Sequence, residues 1–536
     1  MKKIILIILL NIICSIFTLF SQVSENSHII SEQTAKFKEI LEIATQNYVD
    51  SVDVKRITET AFSAMLKELD QFSNYLTSEQ YKRIAELNKG KGVGIGINVV
   101  QIADSIVVAN VIKNSSADSN SISIGDKIIF IDDVKTTGMN IQEVSNLISG
   151  IKGSLVKIIL KKQKDGSISE FLLNRNDYLI KSVNSSFIIP GTDIAYIKIS
   201  SFSNESAIEI KEVINELLQS GSKNLLFDLR SNNGGYLEKV LELLEQFFKK
   251  DELLVYTEAR NKLYSMKKVV EKDGMFSDVP IVVLTDGHTA SAAEIFSGAM
   301  QDNDRGIIVG EMTFGKGLAQ KVWEFKDGSA FALTIARYFT PSGRTVQKIT
   351  NDIKNMRIED SAFLNQDSEK NKVYEDIFKQ IGNRKNLPVF MTKKGRQIVG
   401  GGGIIPDYFV QNDSLTMLTQ VLKGRSIFFE FALLFLKYNE GDIRLKSSDD
   451  YLNFANFFIV DDNLLAKFID FCKMKNVWNE QMFLADKEYI KNFIKAVISN
   501  VLWGDNGFYS VSISVDKPVL KAIASFVDAK NLLEKK

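Results

Sequence analysis

The chain has 536 residues, 45% of them hydrophobic and 25% charged, which is the ordinary composition of a folded soluble protein. Its 66 basic and 66 acidic side chains balance, so the charge gives no reason to expect a nucleic-acid partner. Only two histidines occur, His28 and His288, which leaves almost no material for a Ser-His-Asp triad or a multi-histidine metal site. A hydrolase built from this chain must therefore find its general base elsewhere.

The first residues have the pattern of a secretory signal. Lys2 and Lys3 precede an apolar run at 4–20, and cleavage after Ser21 would remove a signal peptide of residues 1–21. We therefore expect an exported protein of the periplasm or cell envelope. Retention of the apolar run as a membrane anchor is the alternative, and membrane contact is expected only in that case.

Changes of composition and periodicity divide the rest of the chain into four predicted domains. Amphipathic helical spacing covers 30–88, short β-type runs cover 89–176, and alternating strands and helices cover 177–411, which indicates a multidomain α/β protein. Within the third domain, the polar segment 351–386 has the character of an insertion or lid. Phe- and Leu-rich helical spacing at 412–536 predicts a C-terminal helical domain.

The third domain carries the clearest secondary-structure signals. Apolar strands alternate with helical segments, the strands at 195–199, 224–229, 281–285 and 306–309 and the helices at 207–219, 237–248 and 292–300. Asp327 and Gly328 lie between two apolar runs at 322–336, which predicts a β-hairpin. The alternation predicts an α/β core, to which the hairpin is expected to add antiparallel strands.

Ser291 lies where a buried strand, a tight turn and a helix start follow one another, at 280–295. Free backbone N–H groups and the positive end of the helix dipole at such a position stabilise an oxyanion. Ser291 is therefore a candidate nucleophile. The alternative is an ordinary N-cap serine.

Lys316 is the candidate base, since it is flanked by Gly315 and Gly317 shortly after the strand at 306–309. A basic amine must be neutral, which requires the pKa of lysine to fall from about 10.4 towards 7 or 8. Such a shift costs on the order of 3 to 5 kcal/mol, so a largely buried amine is expected. An exposed loop lysine is one alternative, and a phosphate-binding loop, for which the Walker spacing is missing, is another.

These segments resemble the core of the C-terminal-processing (tail-specific) serine peptidases, the S41 type. The resemblance rests on Ser291 to Glu294, Gln301, Asp302, Arg305, Val309, Gly310, Thr313 to Gly317, and Gln320. It implies a crotonase/ClpP-like α/β peptidase core in which Ser291 is the nucleophile and Lys316 the general base. It also implies that Gln320 orients the lysine amine.

Residues 227–235 are similar to the family segment Asp-Leu-Arg-x-Asn-x-Gly-Gly, whose glycine N–H helps to form the oxyanion hole. The resemblance implies Gly235 and Ala292 as the two donors, with Gly234 as the alternative glycine. The segments 337–344 and 400–407 also fit the family pattern and are interpreted as scaffold.

One departure from the family pattern lies at Leu69 to Ser73, where Gln71 and Phe72 replace the usual Pro-His. That histidine is not the family's base, so its loss leaves the Ser-Lys interpretation intact. His288, three residues before Ser291, is the alternative base, but a residue so close on a turn would hardly face the serine.

The β-rich region 89–176 resembles an inserted PDZ domain, with Gly94, Ile95, Gly96 and Ile97 in the place of the carboxylate-binding loop. Successive N–H groups of such a loop hold a C-terminal carboxylate while the adjacent strand edge pairs with the peptide. The resemblance thus implies binding of protein C-termini.

The sequence predicts an exported serine endopeptidase that binds apolar protein C-termini and cleaves through an acyl-enzyme, without a metal or organic cofactor. Its expected partners are protein substrates, with an adaptor or a second copy of the chain as further candidates. The alternative is a non-catalytic PDZ-containing scaffold or ligand-binding protein on the same core. A hydratase or isomerase on a crotonase-like core is a third reading.

Overall fold

The computed structural model describes residues 26–348 and 388–534. The predicted signal at 1–21 and the predicted lid at 351–386 lie outside these residues. The described chain forms two compact units, one of residues up to Tyr81 with Lys321–Thr334, the other of Lys82–Gln320 with Ile335–Lys536. Within the described ranges, no helix combines the length and the apolar character needed to cross a membrane.

Helices and strands are numbered in chain order. The helices are α1 (26–47), α2 (Val54–Lys67), α3 (Ser78–Asn88), α4 (Ser116–Ser119), α5 (Ile141–Ile148), α6 (Ser206–Gln219), α7 (Leu237–Leu244), α8 (Ala292–Asp302), α9 (Met417–Gly424), α10 (Ile427–Lys446), α11 (Tyr451–Phe457), α12 (Asp462–Met474), α13 (Glu480–Ser512), α14 (Lys517–Ala524) and α15 (Phe526–Glu534). The strands are β1 (Asn74–Leu76), β2 (Lys91–Gly94), β3 (Ile97–Ile102), β4 (Ser105–Val111), β5 (Lys127–Ile131), β6 (Val134–Lys135), β7 (Leu155–Lys161), β8 (Ile168–Asn174), β9 (Asn176–Leu179), β10 (Val183–Ile188), β11 (Ile194–Ile199), β12 (Asn224–Asp228), β13 (Leu253–Glu258), β14 (Lys267–Val269), β15 (Ile281–Thr285), β16 (Ile307–Gly310), β17 (Leu318–Glu324), β18 (Ala330–Phe339), β19 (Val389–Met391), β20 (Gln397–Val399) and β21 (Tyr408–Phe409).

The first unit contains α1, α2 and the antiparallel pair of β1 with the start of β18. The turn before β1 is held by Asp70, whose carboxylate accepts the N–H groups of Phe72 and Ser73. The hydroxyl of Ser73 accepts the N–H of Thr334 at 3.1 Å. The segment that departs from the family pattern is therefore a structural turn in this chain.

The β-rich region of the second unit folds into a sheet with the strand order β3-β4-β5-β7-β8, and β6 lies beside β5. Aliphatic side chains from this sheet and from α5, among them Ile106, Ile158 and Val144, form its core. Among the strands that the structure describes, β3 pairs with β4 alone, and α5 packs beside it. The main-chain N–H and C=O groups along the other edge of β3 therefore pair with no strand among those that the structure describes.

A six-stranded sheet with the order β10-β11-β12-β15-β16-β21 forms the centre of the second unit. β10 is antiparallel to β11, and the other neighbouring pairs are parallel. Every residue of β12, β15 and β16 is buried, as expected of parallel strands covered on both faces. Helices α6, α7 and α8 cover one face through a core that includes Phe202, Phe227 and Phe296.

The other face of this sheet is covered by the end of the chain. Val519 of α14 and Phe526 of α15 are buried in one cluster with Tyr196 of β11, Leu226 of β12 and Val282 of β15. The last two helices therefore form a layer of the α/β core.

Helices α9 to α13 build a separate, aromatic core, in which Phe428 and Phe468 stack with their ring centroids 5.1 Å apart. Leu433 of α10 also packs against Ile102 and Val107 of the β-rich region. Helix α13 is kinked at Gly504, where φ is 67° and ψ is −151°. The region predicted as one helical domain thus contributes side chains to two cores, the aromatic core and the cluster that α14 and α15 form with the central sheet.

Candidate active site

Three loops meet at one edge of the six-stranded sheet. β12, β15 and β16 are neighbouring parallel strands, so the segments that follow them leave the sheet at the same edge. Residues 229–235 follow β12, Ser291 follows β15 and Lys316 follows β16. Ligands of open α/β sheets bind at this carboxyl edge. The fold therefore brings the loops with the predicted catalytic and oxyanion-hole residues to one place.

Ser291 is the N-cap residue of α8, with φ 56° and ψ −119°. Residues with a side chain rarely adopt this conformation, which costs on the order of 1–3 kcal/mol and is found mostly at functional sites. Asp286 holds the preceding turn by accepting the N–H groups of His288 and Thr289. A strained strand–turn–helix connection of this kind suits a nucleophile.

Glu294 joins the Ser291 turn to the Lys316 loop. It is fully buried, and its Oε2 accepts the N–H of Ser291 and the N–H of Lys316, each at 2.8 Å. Its Oε1 accepts the N–H of Gly315 at 2.8 Å and the hydroxyl of Thr313 at 2.5 Å. Two amides bound to one oxygen atom lie close together, so this carboxylate holds the two segments side by side.

Burial raises the pKa of the Glu294 carboxyl, and its four hydrogen bonds only partly offset that effect. An ionised carboxylate accepts all four donors, whereas protonation turns one oxygen into a donor and removes acceptor capacity. The link between the two segments therefore weakens as the pH falls through this raised pKa.

The Lys316 side chain is half-buried, and its Nζ donates a hydrogen bond to Oε1 of Gln320 at 3.1 Å. The amide oxygen of Gln320 accepts this hydrogen bond, and a neutral amide does not take the proton of the amine. A Cβ on Gly315 would lie 2.8 Å from Cβ of Lys348, and Gly315 has φ +90°. Glycine at this position thus allows the loop of Lys316 to lie directly against the segment that contains Lys348.

Gly234 and Gly235 lie against the Ser291 turn. A Cβ on Gly234 would be 2.9 Å from both the Ala292 nitrogen and Cβ of Ser291. The N–H of Gly234 already donates to Oδ1 of Asn232 at 2.8 Å. Within residues 26–348 and 388–534, no acceptor is found for the N–H groups of Gly235 and Ala292. These two donors remain available to a ligand.

A buried ion-pair network anchors the loop that carries these glycines. Asp228 accepts hydrogen bonds from Arg230 Nη2 at 2.6 Å, from the Tyr196 hydroxyl at 2.7 Å and from Lys198 Nζ at 3.2 Å. Burial alone would raise the pKa of Asp228, but the charges of Arg230 and Lys198 hold it well below its usual range. Asp228 is therefore an anion that fixes the start of the loop.

The predicted peptide-binding loop lies at the start of β3. The carbonyl of Ile95 accepts the N–H of Ala117, and the carbonyl of Gly96 accepts the N–H of Ile112, both at 2.9 Å. A planar trans peptide group points its C=O and the following N–H in opposite directions. The N–H groups of Gly96 and Ile97 therefore point away from these partners.

Gly94 and Ile95 contribute differently to this loop. Gly94 ends β2 and is paired with Asn176 of β9. The side chain of Ile95 is fully buried in the core of the β-rich region. Only the main chain of Ile95 can therefore face a bound peptide.

Glu294 and Asn232 belong to this site, although the sequence analysis did not assign a role to either side chain. The spacing Ser-x-x-Glu from Ser291 to Glu294 is that of a helix capping box, and the family motif also includes the glutamate. The Asn232 side chain accepts the N–H of Gly234, two residues on, in the local pattern of an Asx turn. His288, the alternative base, is exposed on its turn.

Comparison with known proteins gives matches to three family models. Residues 193–355 match peptidase family S41, residues 84–161 match the PDZ domain, and residues 418–504 match a family of unknown function (DUF8443). The last model ends at the Gly504 kink.

The chain is also similar to curated proteases. It is 30% identical over 357 residues to the carboxy-terminal processing protease CtpA of Bacillus subtilis, covering 65% of this chain and 75% of that protein. It is 33% identical over 293 residues to a carboxyl-terminal-processing protease of Picosynechococcus, covering 54% and 70%. A solved photosystem II D1 C-terminal processing protease is 25% identical, with 58% of this chain and 89% of that one covered and a TM-score of 0.33.

The matching family models and the curated relatives define a serine-type endopeptidase with a PDZ domain. The chain belongs to peptidase family S41 and, within it, to the carboxyl-terminal-processing proteases. The predicted fold class, a multidomain α/β protein with a PDZ domain, an S41 core and a helical C-terminal region, is confirmed.

Replacing Glu294 with glutamine should lower kcat/KM by about 100-fold or more, because each buried N–H that loses its acceptor costs about 1–3 kcal/mol. Cleavage of an unstructured reporter protein with an apolar C-terminus measures the effect. Glu311→Gln serves as the matched control, because Glu311 is half-buried and directly follows β16 at the same edge of the sheet. A folded Glu294→Gln enzyme with wild-type kcat/KM would contradict the positioning role of the carboxylate.

Proposed function

We propose that this peptidase is exported, binds the apolar C-terminus of a protein through its PDZ domain, and cleaves that protein through an acyl-enzyme on Ser291. The main support is the meeting of three loops at one sheet edge, with Ser291 and Lys316 bound to one oxygen of Glu294. Export rests on the sequence pattern of residues 1–21 alone.

The proposed chemistry needs only groups of this chain. Neutral Lys316 takes the proton of Ser291 Oγ as that oxygen bonds to the scissile carbonyl carbon. The C–N bond then breaks as Lys316 gives the proton to the leaving nitrogen. Water hydrolyses the resulting ester, again through Lys316, and the proton returns to Oγ.

The oxyanion of each tetrahedral intermediate would be held by the N–H groups of Gly235 and Ala292. Both donors lack an acceptor within the described chain, and donors that need no rearrangement stabilise a developing charge most effectively. Gly234 fits this role less well, because Asn232 already occupies its N–H. This favours Gly235 over Gly234.

Lys316 is only half-buried, whereas a neutral lysine requires strong desolvation. A peptide bound across the carboxyl edge of the sheet would cover the amine and exclude water from it. We therefore infer that the base becomes fully competent only with substrate in place. Gln320, 3.1 Å from the amine, would keep it directed during that change.

The N–H groups of Gly96 and Ile97 are proposed to bind the substrate's terminal carboxylate. They point away from the partners of the preceding carbonyls, and β3 has a free edge beside α5 among the described strands. An extended peptide can add to such an edge while its carboxylate binds the N–H groups at the end of the strand.

Ser291→Ala and Lys316→Ala should each lower kcat by a factor on the order of 10⁴ to 10⁶, and the double variant should be little worse, because residues that act as one unit are not additive. Cleavage of the reporter protein by the mature chain measures this. Ser297→Ala, which removes a buried hydroxyl from the same helix, and Lys326→Ala, at the exposed hairpin end, are the controls. A folded wild type that binds the tail without cleaving it would instead favour the scaffold alternative.

Gln320→Glu should shift the acid limb of the pH–kcat/KM profile to higher pH. A carboxylate at position 320, about as close to the Lys316 amine as the present amide, favours the protonated ammonium and raises the pKa of the lysine. A higher pH is then needed to obtain the free base. Gln347→Glu, in a segment beside the same loop, controls for added negative charge. An unchanged acid limb in the Gln320→Glu enzyme would count against Lys316 as the titrating base.

Gly96→Ala should weaken binding of a peptide with a free apolar C-terminus by 10-fold or more, and amidation of the peptide should have a similar effect on the wild type. Gly96 has φ +79°, and a Cβ at this position would lie 2.1 Å from Cβ of Ser115. Gly138→Ala is the matched control, since φ is +82° there and a Cβ would meet nothing within 4 Å. Fluorescence anisotropy measures the affinity, and equal binding of free and amidated peptides would rule out carboxylate recognition.

A further inference from the structure

An ion pair connects the end of the chain to the loop that carries the proposed oxyanion donor. Asp516, the residue before α14, contacts Nη1 of Arg230 through both carboxylate oxygens, at 3.0 and 2.8 Å. The guanidinium of Arg230 also contacts Asp228. Arg230 thus lies between two carboxylates, one from the sheet and one from a segment 286 residues further along the chain.

Charge balance gives this contact its importance. Asp228 and Lys198 are buried, and the side chain of Arg230 is only 17% exposed. Without Asp516 the cluster would contain two cations and one anion, and a buried charge without a partner is strongly destabilising. Asp516, itself 18% exposed, neutralises the excess charge.

Arg230 lies near the start of a loop, residues 229–235, that contacts the Ser291 turn. The carbonyl of Leu229 accepts the hydroxyl of Thr289 at 2.9 Å, and the carbonyl of Asn232 accepts the N–H of Ala290 at 2.9 Å. A shift of Arg230 would therefore move both the loop that ends in the two glycines and the turn that presents Ser291.

We propose that Asp516 is a positioning residue for peptide-bond cleavage. It completes the charge balance around Arg230 and so holds the segment 228–235 against the Ser291 turn. This assignment rests on the proposed roles of Ser291 and Gly235. Because Asp516 reaches the site through Arg230, its loss is expected to lower the rate of the chemical step more than the affinity for substrate.

The variant Asp516→Asn isolates the charge. Asp516 also caps α14 by accepting the N–H of Val519 at 3.2 Å, and asparagine caps a helix as well as aspartate does. We expect kcat to fall about 10-fold with KM within twofold of wild type, and Asp516→Glu to recover part of the loss. Asp461→Asn is the matched control, because Asp461 caps α12 by accepting the N–H of Leu464 at 2.8 Å. Helix α12 packs in the aromatic core and not at the Arg230 cluster.

Amide hydrogen exchange, followed by mass spectrometry, gives a readout that does not depend on activity. Peptides covering 228–235 should exchange faster in Asp516→Asn than in the wild type and in Asp461→Asn. Unchanged kcat and unchanged exchange in this segment would overturn the inference. A wild type that cleaves nothing would instead overturn the proposed function, and the exchange rates would then decide the role of Asp516 by themselves.

Discussion

The site depends on one buried carboxylate. Glu294 supplies acceptors to both the turn of Ser291 and the loop of Lys316, which belong to different elements of the fold. Backbone N–H groups in a buried position need acceptors, so the carboxylate satisfies them and sets the separation of the two segments at the same time. Desolvation destabilises the ionised form of Glu294, and the four hydrogen bonds to its carboxylate stabilise that form.

The parallel sheet explains why this arrangement can exist. Each candidate catalytic group follows a different strand, and parallel neighbours end at the same edge, so distant segments meet without a long loop between them. The Ser291 turn is strained, while the strands beneath it are buried on both faces. A rigid layer thus holds a conformation that an isolated turn would not keep.

The end of the chain has a larger part in this architecture than its position suggests. α14 and α15 cover one face of the sheet, and Asp516 enters the charged network around Arg230. Helix α10 meets the PDZ domain through Leu433. The segment that matches a family of unknown function therefore contacts the PDZ domain through α10, and the helices that cover the sheet follow it in the chain.

The sequence was sufficient to predict the elements with strong local patterns: the buried strand before Ser291, the Asp327–Gly328 hairpin, the helical C-terminal region and the family motifs. It placed the end of α7 at residue 248, whereas the helix ends at Leu244, because the apolar spacing continues into the following turn. The tertiary structure was needed to show which glycine N–H is occupied, since the Asn232 side chain is held by a hydrogen bond from its Nδ2 to the carbonyl of Ile199 in β11. It also decided the pairing of Asp516 with Arg230 and the covering of the sheet by α14 and α15. The physical reason is that periodicity reflects the element a residue belongs to, while hydrogen-bond and ion-pair partners depend on which elements pack together.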